Sequence, residues 1–155
     1  MQRLGMYIKV FQFGVVIYDL LVLDFDNVVH NISGGMLSTP EKTKQFALGM
    51  LLIFMGQVLN YTTFQALGAK GVYYGYEFGY AVERVNCFPY NLNINDPQYW
   101  GVLFCIFGIY ITVGASSFII PIMELFWYLM SMKVLENERG VRWINTFVGS
   151  DKKAA

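Results

Sequence analysis

The sequence predicts an all-α integral membrane protein, a four-helix transmembrane bundle with a structured loop between the second and third spans. Three observations carry this. First, 55% of the 155 residues are hydrophobic and only 14% are charged, against about a quarter charged in an ordinary soluble domain. Second, the apolar residues fall in runs near span length, a helix needing about 20 residues to cross a hydrocarbon core of ~30 Å. Third, the basic residues are divided unequally between the stretches that separate those runs. The whole chain, 1–155, reads as one membrane domain. Its formal charge is zero, which gives no electrostatic footprint for nucleic acid. Two cysteines and a single histidine make neither a disulfide framework nor a His/Cys metal site.

The first span is residues 4–23, with an interfacial or partly lipid-exposed helix as the alternative. Lys9 sits near one end of it, where a long side chain reaches the interface, and Asp19 lies a turn inside the other. Residues 24–44 form a polar connection. It ends in Thr39-Pro40-Glu41, an N-cap followed by proline at the first helical position, so a helix starts near Pro40.

The second span is residues 46–68. Its first half is apolar throughout, and its second half carries Gln57, Tyr61 and Gln65 at i, i+4, i+8. That spacing puts them on one helix face. Such a face either bonds to a neighbouring helix or walls a polar cavity.

The third and fourth spans, 99–115 and 117–135, are separated only by the turn Gly114–Ser117 and therefore form an antiparallel helical hairpin. Pro121 falls in the first turn of the last helix, where a missing N–H costs little. Glu124 is an intramembrane carboxylate about two turns in, by default a functional candidate and equally a protonated group or one paired with a neighbouring subunit. In a larger complex Asp19 and Glu124 would both seek partners on neighbouring subunits. The tail 136–155 opens at an interface, with Arg139, Arg142 and Trp143.

Four spans place both termini on one side, together with the loop 66–101. Arg3, Lys9, Lys70, Arg84, Lys133, Arg139, Arg142, Lys152 and Lys153 fall on that side, and only Lys42 and Lys44 fall opposite. The bias orients the termini and the loop toward cytosol or matrix.

The loop 66–101 concentrates glycines, aromatics and the acids Glu77, Glu83 and Asp96 between two apolar segments. A loop this long is a site or a docking surface rather than a tether. Its pieces ALGAKG (66–71), YYGYEFG (73–79), ERVNCFPYN (83–91) and NDPQYWG (95–101), followed by GASS (114–117), together resemble the signature of the phosphatidylethanolamine/phospholipid N-methyltransferases. The resemblance covers roughly residues 51–138.

That resemblance implies a small helical membrane enzyme moving a methyl group from S-adenosylmethionine to a phospholipid head-group amine. Its cofactor motifs are a Gly-X-Gly before the loop and a Glu-Glu pair after the last span. By position they fall on Phe54-Met55-Gly56 and on Asn137-Glu138, or on Glu136-Asn137 with a one-residue shift, so each motif is half kept. Gly56, Gly68, Gly71, Glu136 and Glu138 are the cofactor-binding candidates that the resemblance implies. Glu83, Arg84, Asn91, Tyr99 and Trp100 are those for the lipid. Gly68 and Gly71 equally suit a helix end and turn, and Tyr99 and Trp100 an interfacial aromatic belt.

Two functions follow. One is a non-catalytic, methyltransferase-fold subunit of a larger membrane complex, such as one of the mitochondrial inner membrane, that needs no cofactor and still holds phospholipid. The other is an active phospholipid N-methyltransferase of the endoplasmic reticulum using S-adenosylmethionine, a location that the terminal Lys-Lys-Ala-Ala resembles a retrieval signal for. The damaged motifs favour the first.

Overall fold

The computed structural model describes residues 2–72, 87–92 and 96–131. Every regular element among them is helical. Helix α1 (Gln2–Tyr18) runs into a π-helical turn (Asp19–Leu23), and α2 (Phe25–Ser33) follows. Next come α3 (Pro40–Val72), a 3-10 turn (Tyr90–Leu92), α4 (Pro97–Val113) and α5 (Ile119–Met130). The tail 136–155 and most of the loop 66–101 lie outside the described residues.

Helix α4 is the hub. Val102, Leu103, Ile106 and Tyr110 are buried on it, and they pack with Val16 and Leu20 from the first helical segment, Val28 of α2 and Tyr128 of α5. Its other side meets α3 along a seam of four glycines. Gly49 and Gly56 are seven residues apart on α3, as are Gly101 and Gly108 on α4. A Cβ on Gly56 would stand 2.5 Å from the Gly101 carbonyl oxygen, and one on Gly101 would stand 2.9 Å from that of Gly56. Gly49 and Gly108 face each other in the same way: a Cβ on either would stand 2.8 Å from the other's carbonyl oxygen. Glycine at these positions lets two antiparallel backbones touch, the arrangement that membrane helices use when dispersion rather than the hydrophobic effect holds them together.

The hairpin of α4 and α5 is present, with reasons in the turn. Gly114 adopts φ 66°, its N–H bonds to the Ile111 carbonyl, and the N–H of Ala115 bonds to that of Tyr110. This is a Schellman closure, which needs the left-handed conformation that glycine takes without penalty. Ring pairs set the antiparallel direction. Tyr99, early in α4, packs on Tyr128, late in α5, with centroids 4.8 Å apart, while Tyr110 meets Phe118 at 5.9 Å. Pro121 is fully buried in the first turn of α5.

Residues 24–44 are not a plain connection. They hold α2, whose polar side is tied to the hairpin turn. The Asn27 and Asn31 carboxamides donate to the Gly114 carbonyl at 2.9 and 2.8 Å. Asp24 accepts from the Ser116 N–H at 2.8 Å and from the Ser116 hydroxyl. At the start of α3, Thr39 caps as its sequence predicts, its Oγ1 accepting from the Lys42 N–H at 3.3 Å.

Asp19 and Glu124 do not wait for another subunit. The Tyr110 hydroxyl donates to Asp19 at 2.5 Å, and the Gln12 carboxamide donates to Glu124 at 3.0 Å. Both acids are therefore partnered across helices of the same chain, because the π-helical turn and the middle of α1 lie against α4 and α5. The loop also begins later than expected. Helix α3 continues past Ala66 to Val72, interrupted at Gly68.

Among the described residues one helix, Pro40–Gly68, is long and apolar enough to cross a membrane. Val10–Leu23, Pro97–Val113 and Ile119–Met130 are apolar but shorter. At 17 residues α4 reaches roughly 26 Å, just under a full hydrocarbon core, because Gly114 stops it.

Candidate functional site

The candidate site is the end of the α3–α4 pair that borders the 66–101 loop. Helix α3 delivers side chains there in two stripes. The inner stripe continues the glycine seam: Thr63 stands seven residues beyond Gly56, as Gly56 does beyond Gly49. Thr63 is completely buried, and among the described residues its hydroxyl oxygen has no hydrogen-bond partner. One turn earlier, the Asn60 side-chain oxygen is also buried and unpartnered, directed at Gly101, where a Cβ would meet it at 2.8 Å. A buried polar atom without a partner costs roughly 1–3 kcal/mol, and sites that keep one are often places where a polar ligand or water docks.

The outer stripe carries Phe54, Gln57, Tyr61 and Gln65, all exposed. The polar face predicted from the spacing of Gln57, Tyr61 and Gln65 therefore forms, and its three side chains are exposed. Gln57 alone reaches back, its Nε2 lying 3.4 Å from the Cys105 sulfur. Phe54 is 67% exposed and stands at the foot of this stripe.

Gly56 is buried in the seam, the space beside its α-carbon filled by Gly101 and by the Cys105 sulfur, which a Cβ would meet at 2.6 Å. Gly68 takes φ 63°, ψ −177° with nothing within 4 Å of a Cβ. Backbone conformation, not a neighbouring atom, is what requires glycine there. Gly71 lies in the last turn of α3, beyond that break.

On the other side of the loop, Pro97 opens α4 as its first helical residue. Tyr99 and Trp100 are partly buried: Tyr99 lies on Tyr128, and Trp100 tilts against Phe104 with centroids 6.3 Å apart. Asn91 is exposed in the 3-10 turn, whose N-terminal side holds a cis Phe88–Pro89 bond. Glu83, Arg84, Glu136 and Glu138 lie outside the described residues. Of the predicted positions, then, Gly56, Tyr99 and Trp100 are engaged in helix packing, Gly68 shapes the chain, and Asn91 faces outward.

The sequence marks Asn60 and Thr63 as polar residues of this span without singling them out as site residues. The signal was the heptad Gly49-Gly56-Thr63, which marks Thr63 as facing α4. Among the described residues no three His, Cys, Asp or Glu side chains gather where they could hold a metal ion.

Comparison with known proteins bears on this end of the molecule. A family model described as phospholipid methyltransferase matches residues 44–139. Phosphatidylethanolamine N-methyltransferase of Homo sapiens is 37% identical over 78 residues, covering 46% of this chain and 39% of that protein. Phosphatidyl-N-methylethanolamine N-methyltransferase of Arabidopsis thaliana is 46% identical over 50 residues, covering 32% of this chain and 30% of that one. The Saccharomyces cerevisiae protein of the same name is 33% identical over 88 residues, 56% of this chain and 42% of its own length. The chain thus spans less than half the length of these curated relatives. No solved structure matches it.

Proposed function

Because the chain belongs to the phospholipid methyltransferase family, matching its model over residues 44–139, we propose that it is a phospholipid-binding member that no longer turns over S-adenosylmethionine. In this reading it is a four-span bundle that serves as a subunit of a larger membrane assembly.

The observation that carries the reading is the fate of the half-kept Gly-X-Gly. Close approach of a cofactor to backbone needs an open α-carbon. At Gly56 that space is filled by α4, and at the position of the first glycine Phe54 extends a ring from the helix. The filled space at Gly56 and the ring at Phe54 support a reading in which S-adenosylmethionine is not held there. Gly56 has a sufficient reason to be glycine in the seam alone.

The exposed stripe of Gln57, Tyr61 and Gln65 supports the subunit role. Three polar side chains on the outer face of the helix best suited to crossing a membrane need a covering partner, since amide groups left in hydrocarbon are costly. Asp19 and Glu124 no longer support it, being partnered within the chain. Mitochondrial inner membrane and endoplasmic reticulum both accommodate this topology, and imaging of the tagged protein separates them.

A second reading, an active phospholipid N-methyltransferase, is favoured by the unpartnered Asn60 and Thr63 oxygens, which would suit a polar head group. Calorimetry of the purified chain with S-adenosylmethionine and total phospholipid distinguishes the two. Our reading expects phospholipid to be retained and no cofactor binding up to millimolar concentration. Micromolar binding together with methylated head groups would overturn it.

A further inference from the structure

At the end of α3 and α4 farthest from the 66–101 loop, a cavity of about 20 Å³ opens between the α2–α3 corner and the last turn of α4. Asn31, Met36, Lys42, Gln45 and Thr112 line it. It has room for about one water or for one oxygen of a larger group.

Lys42 is partly buried at this corner. Its ammonium lies 3.7 Å from where a Cβ on Gly34 would stand, over the carbonyl end of α2, where the helix dipole favours a cation. Position is thus supplied, but among the described residues no hydrogen bond or ion pair engages the ammonium, and its three N–H donors lack an acceptor there. Beside it Gln45 gives one N–H to the Ile111 carbonyl at 2.9 Å and keeps a second. The corner offers donors and a positive charge to an acceptor of opposite sign.

Next to this charge lies an apolar shelf. Helix α2 turns Asn27, Val28 and Asn31 toward the bundle, while Phe25, Val29 and Ile32, at i, i+4 and i+7, are exposed. Leu37, just beyond the helix, is 63% exposed. A short helix with one polar face tied down and one apolar face open is the pattern of an interfacial helix lying in the head-group layer.

We infer that this corner binds a membrane phospholipid, with its phosphate oxygen on Lys42 and Gln45 and its acyl chains along Phe25, Val29, Ile32 and Leu37. The apolar shelf selects a lipid over a free anion. The site lies at the opposite end of the helices from the 66–101 loop and does not depend on whether the chain transfers methyl groups.

The test is native mass spectrometry of the full chain in a nonionic detergent, titrated with phosphatidylglycerol. Wild type is expected to take up one lipid saturably. Lys42→Ala should weaken uptake about tenfold, the loss expected for one charge-assisted hydrogen bond. Lys42→Arg should retain it, and Lys44→Ala, a nearby loss of the same charge, should leave it unchanged. Equal uptake by wild type and Lys42→Ala would overturn the inference, as would an equal loss in Lys44→Ala. Displacement of the lipid by an equal concentration of inorganic phosphate would overturn the role given to the apolar shelf.

Discussion

The Tyr110 hydroxyl donates a hydrogen bond to Asp19 at 2.5 Å, joining the π-helical turn after α1 to the last turn of α4. Tyr110 is completely buried, so this pair is the polar link between the first helical segment and the hub. Tyr110→Phe removes the donor and leaves the carboxylate without it, at an expected cost of about 1–3 kcal/mol. Thermal melts in detergent would show it as a lower midpoint. With Asp19→Asn in a double-mutant cycle, the combined loss should be smaller than the sum of the two. Strict additivity would argue that the bond contributes nothing to stability.

The glycine seam makes a position-specific prediction. Gly56→Ala places a methyl group 2.5 Å from the Gly101 carbonyl oxygen, which forces the backbones apart and should cost roughly 1–3 kcal/mol. Gly14→Ala on α1 meets nothing within 4 Å and should be neutral or stabilise by up to about 1 kcal/mol. The two variants have the same chemistry, so a similar effect of both on unfolding would contradict the seam.

Gly68→Ala tests backbone rather than packing. There is open space for the new methyl group, but φ 63° with ψ −177° is closed to an L side chain. The expected loss is about 1–3 kcal/mol, or a straightened α3 that redirects the chain into the 66–101 loop. Unchanged stability and unchanged proteolysis of that loop would remove the break at Gly68 from consideration.

Asp24 gives the hairpin turn a pH dependence. Burial raises its pKa, but the hydrogen bonds from the Ser116 side chain and backbone and from Asn27 outweigh that, and the net value lies below 3.8. A folded-state pKa below the unfolded one stabilises fully above the unfolded value and is lost as pH falls through the folded value. Asp24→Ala should therefore lower the midpoint at neutral pH. The gap between variant and wild type should close as the medium is acidified below pH 3.8. A gap that stays constant across that range would mean that the carboxylate's charge is irrelevant to the turn.

What could be read in advance was what chemistry enforces locally. Thr39-Pro40 announces the start of α3 because capping needs only the next few residues. Gly114–Ser117 announces the hairpin because a left-handed closure needs glycine wherever it occurs. Helix α2 escaped because its apolar positions, Phe25, Val29 and Ile32, are few, and its anchors lie far along the chain. Asn27 and Asn31 find the Gly114 carbonyl more than 80 residues away.

Distance along the chain also explains why the partners of the two acids could not be read in advance. Nothing near Asp19 or Glu124 in sequence reveals Tyr110 or Gln12. At the candidate site, the family resemblance pointed to Gly56 as a cofactor contact, and Gly49, Gly56 and Thr63 share a heptad. Their common role shows only when Gly101 and Gly108 are laid alongside in the opposite direction. The element that brings these distant partners together is α4, against which the other described helices pack.

Asp19 and its tyrosine are separated by 91 residues, and this has a consequence for biogenesis. Synthesis at roughly 5–20 residues per second puts about 5–18 s between the emergence of the acid and of its partner. In a chain inserted as it is made, the first segment would spend that interval with an unshielded carboxylate at its inner end. It would have to rest at the translocation machinery or at the bilayer surface until α4 arrived. Release into lipid would then be timed by the third long helix rather than by the first, and a ribosome stalled before Tyr110 should leave the amino-terminal segment extractable by alkali.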